Sequence, residues 1–157
     1  MRRMVYIYQE KSMAEIDEDM KRKLVEMALD ARDLAYAPYS HHKVGAALLG
    51  KNGKIYTGCN VENAAFTPSN CAERTAVFKA VSEGERKFQA IAIVGGIGDR
   101  SELSICPPCG VCRQVLREFC PLDFPILLAK DPDHIETHTL EELLPLSFGP
   151  EFLPGED

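Results

Sequence analysis

Val44-Gly-Ala-Ala-Leu-Leu49, the dipeptide Asn52-Gly53 and Lys54-Ile-Tyr-Thr-Gly-Cys59 decide the fold class. The first stretch is an unbroken apolar run of strand length, which reads as a buried strand. Asn-Gly accepts the positive φ angles of a tight hairpin turn, so Lys54–Cys59 is predicted to return antiparallel to it. Upstream, Ile16, Met20, Leu24, Met27, Ala28, Ala31, Leu34 and Ala35 recur at three- and four-residue steps on one helical face. Pro38, with no amide donor, is predicted to end that helix, and Tyr39 to Lys43 reads as a polar turn.

Downstream, Asn60 to Asn70 has loop composition. A second helical pattern opens at Cys71 and stops at Gly84. Phe88 to Val94 reads as a strand, and Gly95, Gly96 and Gly98 open a loop. A helix follows from about Gly110 to Phe119, then a strand over Pro125–Ala129, an edge strand over His134–His138 and a helical turn over Leu140–Leu144. Strands alternating with helices define an α/β sheet with helices on its faces. Residues 1–15 carry no sustained period and read as an N-terminal extension. Residues 16–157 read as a single domain without internal repeat or linker.

The 157 residues are 45% hydrophobic and 27% charged, the profile of a globular chain. Their longest apolar runs fall far short of a bilayer span, so no membrane role is expected. Eighteen basic against 24 acidic side chains leave a net charge of −6, which argues against a nucleic acid as partner. Six cysteines stand at 59, 71, 106, 109, 112 and 120. The first residues hold no apolar signal-peptide core, so the expected compartment is the cytoplasm, where clustered cysteines bind metal or do redox chemistry.

Cys109-Gly-Val-Cys112 has the spacing that turns two thiolates toward one ion at a helix start, and Cys71 opens the other helix. Cys71, Cys109 and Cys112 supply the three protein ligands of a catalytic zinc that keeps an open position. Glu73, two residues after Cys71, is placed to reach a metal-held water without being a ligand. Three thiolates and one zinc ion sum to −1. Two helix dipoles and Arg74 are the available compensation, with Arg74 expected to hydrogen-bond a ligating sulfur. Two other readings stay open on spacing alone: a structural zinc knot closed by Cys59 or Cys106, and a redox pair within Cys106-Pro-Pro-Cys109 or Cys109–Cys112. Cys59 and Cys120 read as small packing residues.

Tyr39-Ser-His-His-Lys-Val-Gly-Ala-Ala-Leu48, Gly58-Cys-Asn-Val-Glu-Asn63, Cys71-Ala-Glu-Arg-Thr-Ala76, Pro108-Cys-Gly-Val-Cys-Arg-Gln114 and Leu143-Leu-Pro-Leu-Ser-Phe-Gly-Pro150 together resemble the small cytidine deaminases. The resemblance implies a three-layer α/β/α fold around a mixed sheet of about five strands. It implies zinc-dependent hydrolytic deamination of cytidine and deoxycytidine in pyrimidine salvage, with Glu73 carrying protons from water to ring N3 and to the departing amino group. It also implies that the Ala72 amide faces the base, that Asn60 and Glu62 bind the ribose, and that Phe148 stacks on the pyrimidine of an adjacent subunit in a homotetramer. A Glu62 carboxylate beside the 3′-hydroxyl favours a free nucleoside over a nucleotide. The family usually has Phe-Pro where this chain has His42-Lys43. His42 is thus expected on the base pocket, with weaker binding at lower pH or a shifted pyrimidine preference. Competing expectations are a related deaminase, such as one acting on blasticidin S, and a noncatalytic zinc-binding module.

Overall fold

The computed structural model describes residues 16–153; the expected extension over 1–15 lies outside the described residues. Asp17 opens helix α1 (Glu18–Asp33) by accepting from the Met20 amide at 2.8 Å. The hairpin forms as β1 (Lys43–Gly50) and β2 (Ile55–Cys59), followed by α2 (Ala72–Ser82), β3 (Phe88–Gly96), α3 (Gly110–Phe119), β4 (Pro125–Asp131), β5 (His134–Thr139) and the short α4 (Leu140–Leu143). Turns of 3₁₀ helix lie at Arg100–Glu102 and Pro150–Phe152.

The sheet order is β2-β1-β3-β4-β5. β1 runs antiparallel to both β2 and β3, β3 is parallel to β4, and β4 is antiparallel to β5. Strand alternation splits the apolar residues into two cores. Ala47, Leu49, Ala90, Ala92, Val94, Leu127 and Ala129 face α1, where Leu24, Val25, Ala28 and Leu29 cover them. Ala46, Leu48, Ile91, Ile93, Ile126 and Leu128 face the other way, under Ala72, Ala76 and Val77 of α2, Leu116 of α3 and Leu140 of α4. Both faces are covered, so the central strands read as continuous apolar runs rather than alternating ones. The fold is the expected three-layer α/β/α arrangement on a mixed five-stranded sheet.

One boundary is corrected. α1 ends at Asp33, short of Pro38, and Leu34 is 79% exposed rather than on the buried face. The chain leaves the helix early because Tyr36 pairs with Val61: the Tyr36 amide donates to the Asn60 carbonyl and the Glu62 amide to the Tyr36 carbonyl. Long-range pairing thus overrides a helical period that continues through Ala35.

Topology sets the place of the site. β2, β3 and β4 all point the same way, and α2 and α3 are the crossovers that follow β2 and β3 on one face. Both helices therefore start at the same edge of the sheet, beyond the carboxyl ends of their strands. Gly58 of β2 brings α2 down onto the sheet, since a Cβ there would run into the Ala72 carbonyl and the Ala76 amide.

Candidate active site

Cys71 is the N-cap of α2 and Cys109 the N-cap of α3, and neither makes a side-chain capping bond. Their thiols turn toward each other across the two helix starts. The Cys71 and Cys109 Sγ atoms are 3.8 Å apart, and Cys109 and Cys112 Sγ 3.5 Å. All three sulfurs lie within 4.8 Å of one another, and no fourth metal-ligating atom joins them among the described residues. A tetrahedral zinc with bonds of ~2.3 Å needs sulfurs ~3.8 Å apart, so the trio fits the metal. Cys59 and Cys106 stand outside the cluster, against a knot closed by either of them and against a Cys106–Cys109 pair. Buried Cys120 packs in the core as expected.

The helix starts supply positive potential: the first amides of α2 and α3 have no carbonyl partners within their helices, and the dipoles point the same way. Arg74 adds a full charge, its Nη2 donating to Cys71 Sγ at 3.4 Å, as expected. Arg74 Nε is buried without a partner. Hydrogen bonding from the Cys112 thiol and from Arg74 holds the Cys71 thiol below its ordinary range, while the same Cys71–Cys112 bond and burial push Cys112 up.

Glu73, on the first turn of α2, is 4% exposed. Burial pushes its carboxyl up to about 7, with the neighbouring Cys71 charge adding to the rise. A carboxyl at that value both takes and gives a proton near neutral pH. The Ala72 peptide beside it is buried at the first position of α2.

A second group of predicted residues lies in the loops. Asn60 is committed on both ends of its amide: Oδ1 accepts from the Val44 amide and Nδ2 donates to the His42 carbonyl, both at 2.8 Å. Glu62 accepts from the Tyr39 and Ser40 amides at 3.0 and 3.1 Å and from the Ser40 hydroxyl at 2.5 Å. The Ser40 hydroxyl bond, first among several, holds the Glu62 carboxyl below the usual range. Both side chains thus brace the 39–44 turn, and each keeps hydrogen-bonding capacity: one Asn60 N–H and a remaining Glu62 lone pair. His42, half-buried, sets Nε2 3.7 Å from Cys106 Sγ; burial pushes the Cys106 thiol up to about 11. His41 takes φ +57° at the turn, and Phe66, at φ +59°, packs edge-on against Tyr39 with ring centroids 6.3 Å apart.

Phe148 is placed differently. The residue is 57% exposed, its ring stacks on Phe152, and its carbonyl accepts from Gln114 Nε2. Sequence reading missed Ser40, which joins Glu62 to the turn, and Arg113 and Arg117, each of which reaches a partner 30 or more residues away.

Together the three-layer sheet, the three-sulfur trio at paired helix starts and the buried carboxyl beside it define a zinc-site protein of the α/β class. The chain belongs to the cytidine and deoxycytidylate deaminases, whose zinc-binding region matches residues 18–127. A cytidine deaminase of Sporosarcina psychrophila is 49% identical over 131 residues, covering 83% of this chain and 93% of that one. The crystal structure of a cytidine deaminase from Burkholderia pseudomallei superposes with a TM-score of 0.72 at 44% identity, over 80% of this chain and 97% of that one. A blasticidin-S deaminase of Bacillus cereus is more distant, 34% identical over 80% of this chain and 90% of its own length. Among the described residues no helix is long and apolar enough to cross a membrane.

Proposed function

We propose that this chain hydrolyses cytidine and deoxycytidine to uridine and deoxyuridine with release of ammonia, in pyrimidine salvage in the cytoplasm. One observation carries the reading: a buried Glu73, pushed up to about 7, at the helix start that also supplies a ligand of the sulfur trio. Cys71, Cys109 and Cys112 hold zinc, and zinc when bound supplies a Lewis acid that makes water a nucleophile near neutral pH. Glu73 takes one proton from water and delivers it to ring N3 as oxygen bonds to C4. It then takes the remaining proton of the added oxygen and gives it to the 4-amino group as the C4–N bond breaks, so that water and cytidine yield uridine and ammonia.

The Ala72 amide orients the base at the α2 start. Asn60 and Glu62 use their remaining N–H and lone pair on the ribose, and His42 lines the base pocket beside Cys106. A carboxylate on the 3′ side repels a phosphate there, so free nucleosides are the substrates. Arg74 withdraws charge from Cys71, and Arg74→Ala weakens zinc binding or shifts the pH profile. The catalytic unit is residues 16–157, assembled as a homotetramer in which Phe148 completes a neighbouring site.

The test is an absorbance assay of cytidine, deoxycytidine, cytosine, cytidine 3′-monophosphate and blasticidin S, with and without a chelator. Turnover of the first two, lost on chelation and restored by zinc, is expected. Preference for blasticidin S, equal turnover of the 3′-monophosphate, or activity indifferent to the chelator would each overturn its part of the assignment. Sharing of sites is read by mixing Glu73→Gln with Phe148→Ala subunits: hybrids recover the wild-type KM for cytidine only if Phe148 serves a neighbour.

A further inference from the structure

α3 carries two of the three cysteines at its start, and three side chains farther along it end on the C-terminal stretch. Arg113 Nη1 donates to the Leu143 carbonyl at 2.6 Å, and Gln114 Nε2 to the Phe148 carbonyl at 2.9 Å. Arg117 Nε donates to the Ser147 hydroxyl at 2.9 Å, while its guanidinium pairs with the Glu151 carboxylate. Arg117 is only 6% exposed, so its charge depends on these partners. Gly149 lies so close that a Cβ there would strike the Arg117 guanidinium. The chain from Leu143 to Glu151 is thus pinned to one helix.

The side chains of Leu146, Phe148 and Phe152 are turned outward instead. Leu146 is fully exposed at φ +50°. Phe148 and Phe152 stack on each other, centroids 5.2 Å apart and planes at 18°, and each remains more than half exposed. A backbone fastened by a buried arginine, with aromatic rings turned outward, presents those rings instead of packing them. Arg113 also donates from Nε to the Pro108 carbonyl at 2.8 Å, so the tail and the approach to Cys109 are tied to the same helix.

We infer that Arg117 is a positioning residue: by gripping Ser147 and Glu151 on either side of Phe148, it fixes the ring in the orientation that meets the base in a neighbouring copy. This rests on the proposed sharing of Phe148 between subunits. Arg117 touches neither substrate nor metal, and its whole effect on turnover passes through that ring.

The experiment is a double-mutant cycle on the zinc-loaded full chain, comparing Arg117→Met, Phe148→Ala and the double variant, with zinc content and oligomeric mass measured for each. Phe148→Ala and Arg117→Met are each expected to raise KM for cytidine about tenfold with kcat within about threefold, and the double variant to be no worse than Phe148→Ala alone. Arg117→Lys, which reaches one partner but not both, recovers part of the loss. Should Arg117→Met not fold, Glu151→Gln and Ser147→Ala release the grip from the tail side, each raising KM about threefold. A KM that rises in Phe148→Ala but not in the Arg117, Glu151 or Ser147 variants overturns the inference and leaves the reading of Phe148 standing. So does a double variant whose loss is the product of the two. An unchanged KM in Phe148→Ala overturns the reading of Phe148 itself.

Discussion

The four α-helices among the described residues begin in two different ways. α1 and α4 start behind oxygen-bearing residues that cap their own amides: Asp17 accepts from Met20, and Thr139 exchanges bonds with Glu142 in a capping box. α2 and α3 start behind Cys71 and Cys109, which make no such bond. An oxygen cap is worth roughly 1 kcal/mol of helix stability. Two helices forgo it and turn their N-cap side chains toward each other, so amides and dipoles face a common point. The same structural position serves stability at one pair of helices and chemistry at the other. Packing makes this possible: α2 is held by Ala72, Ala76, Val77 and Ala80 in the core, so it does not need the cap to form.

The contrast is breakable by substitution. The largest effect belongs to Cys109→Ala, which leaves two sulfurs where three are needed: zinc measured by elemental analysis falls toward zero and activity falls with it, by about 10³-fold or more. Retained stoichiometric zinc in that variant breaks the assignment of α3's start to metal. Glu73→Gln keeps the metal and lowers kcat by about 10²–10⁴-fold, because the amide cannot carry the proton. A noncatalytic zinc module is the answer if ligand-binding behaviour is all that remains and no ammonia was released to begin with.

At the other pair of helices the effect is small and purely one of stability. Asp17→Ala costs ~1 kcal/mol and lowers Tm by about 2–4 °C, with zinc content and kcat/KM unchanged. A drop in kcat/KM there would erase the distinction between the two kinds of start. The smallest effect is local to the turn. Ser40→Ala removes the hydroxyl bond that lowers the Glu62 pKa, which then rises toward the ordinary glutamate value in an NMR titration. The sign is that of a depressed acid: these bonds stabilise the fold above the ordinary glutamate pKa, and the contribution is lost as pH falls through the lowered value. An unmoved Glu62 titration shows that the backbone donors of Tyr39 and Ser40 suffice.

Elements with strong local signals were legible. The Asn52-Gly53 hairpin formed as read, and the helix read from about Gly110 to Phe119 is α3. Cys71, Cys109, Cys112 and Glu73 were legible because two short motifs each carried half of the constellation. The end of α1 was not, since the pairing of Tyr36 with Val61 is non-local and nothing in the helical period announces it. Nor was the double commitment of Asn60 and Glu62 to the 39–44 turn, about twenty residues away in sequence. Arg117 was the least legible of all. A buried arginine looks like any charged helix residue until the tail that pairs with it is in place.

The order of amino acids alone determined the periods of the helices and strands, the sulfur chemistry and the position of a carboxyl two residues past a cysteine, because each depends on near neighbours along the chain. Only the tertiary structure brought the thiols of Cys71, Cys109 and Cys112 together without Cys59 or Cys106 as a fourth, and turned Phe148 outward. Cys71 and Cys109 stand 38 residues apart, and they meet because two parallel crossovers begin at one sheet edge; Cys59 and Cys106 are left outside by the same packing.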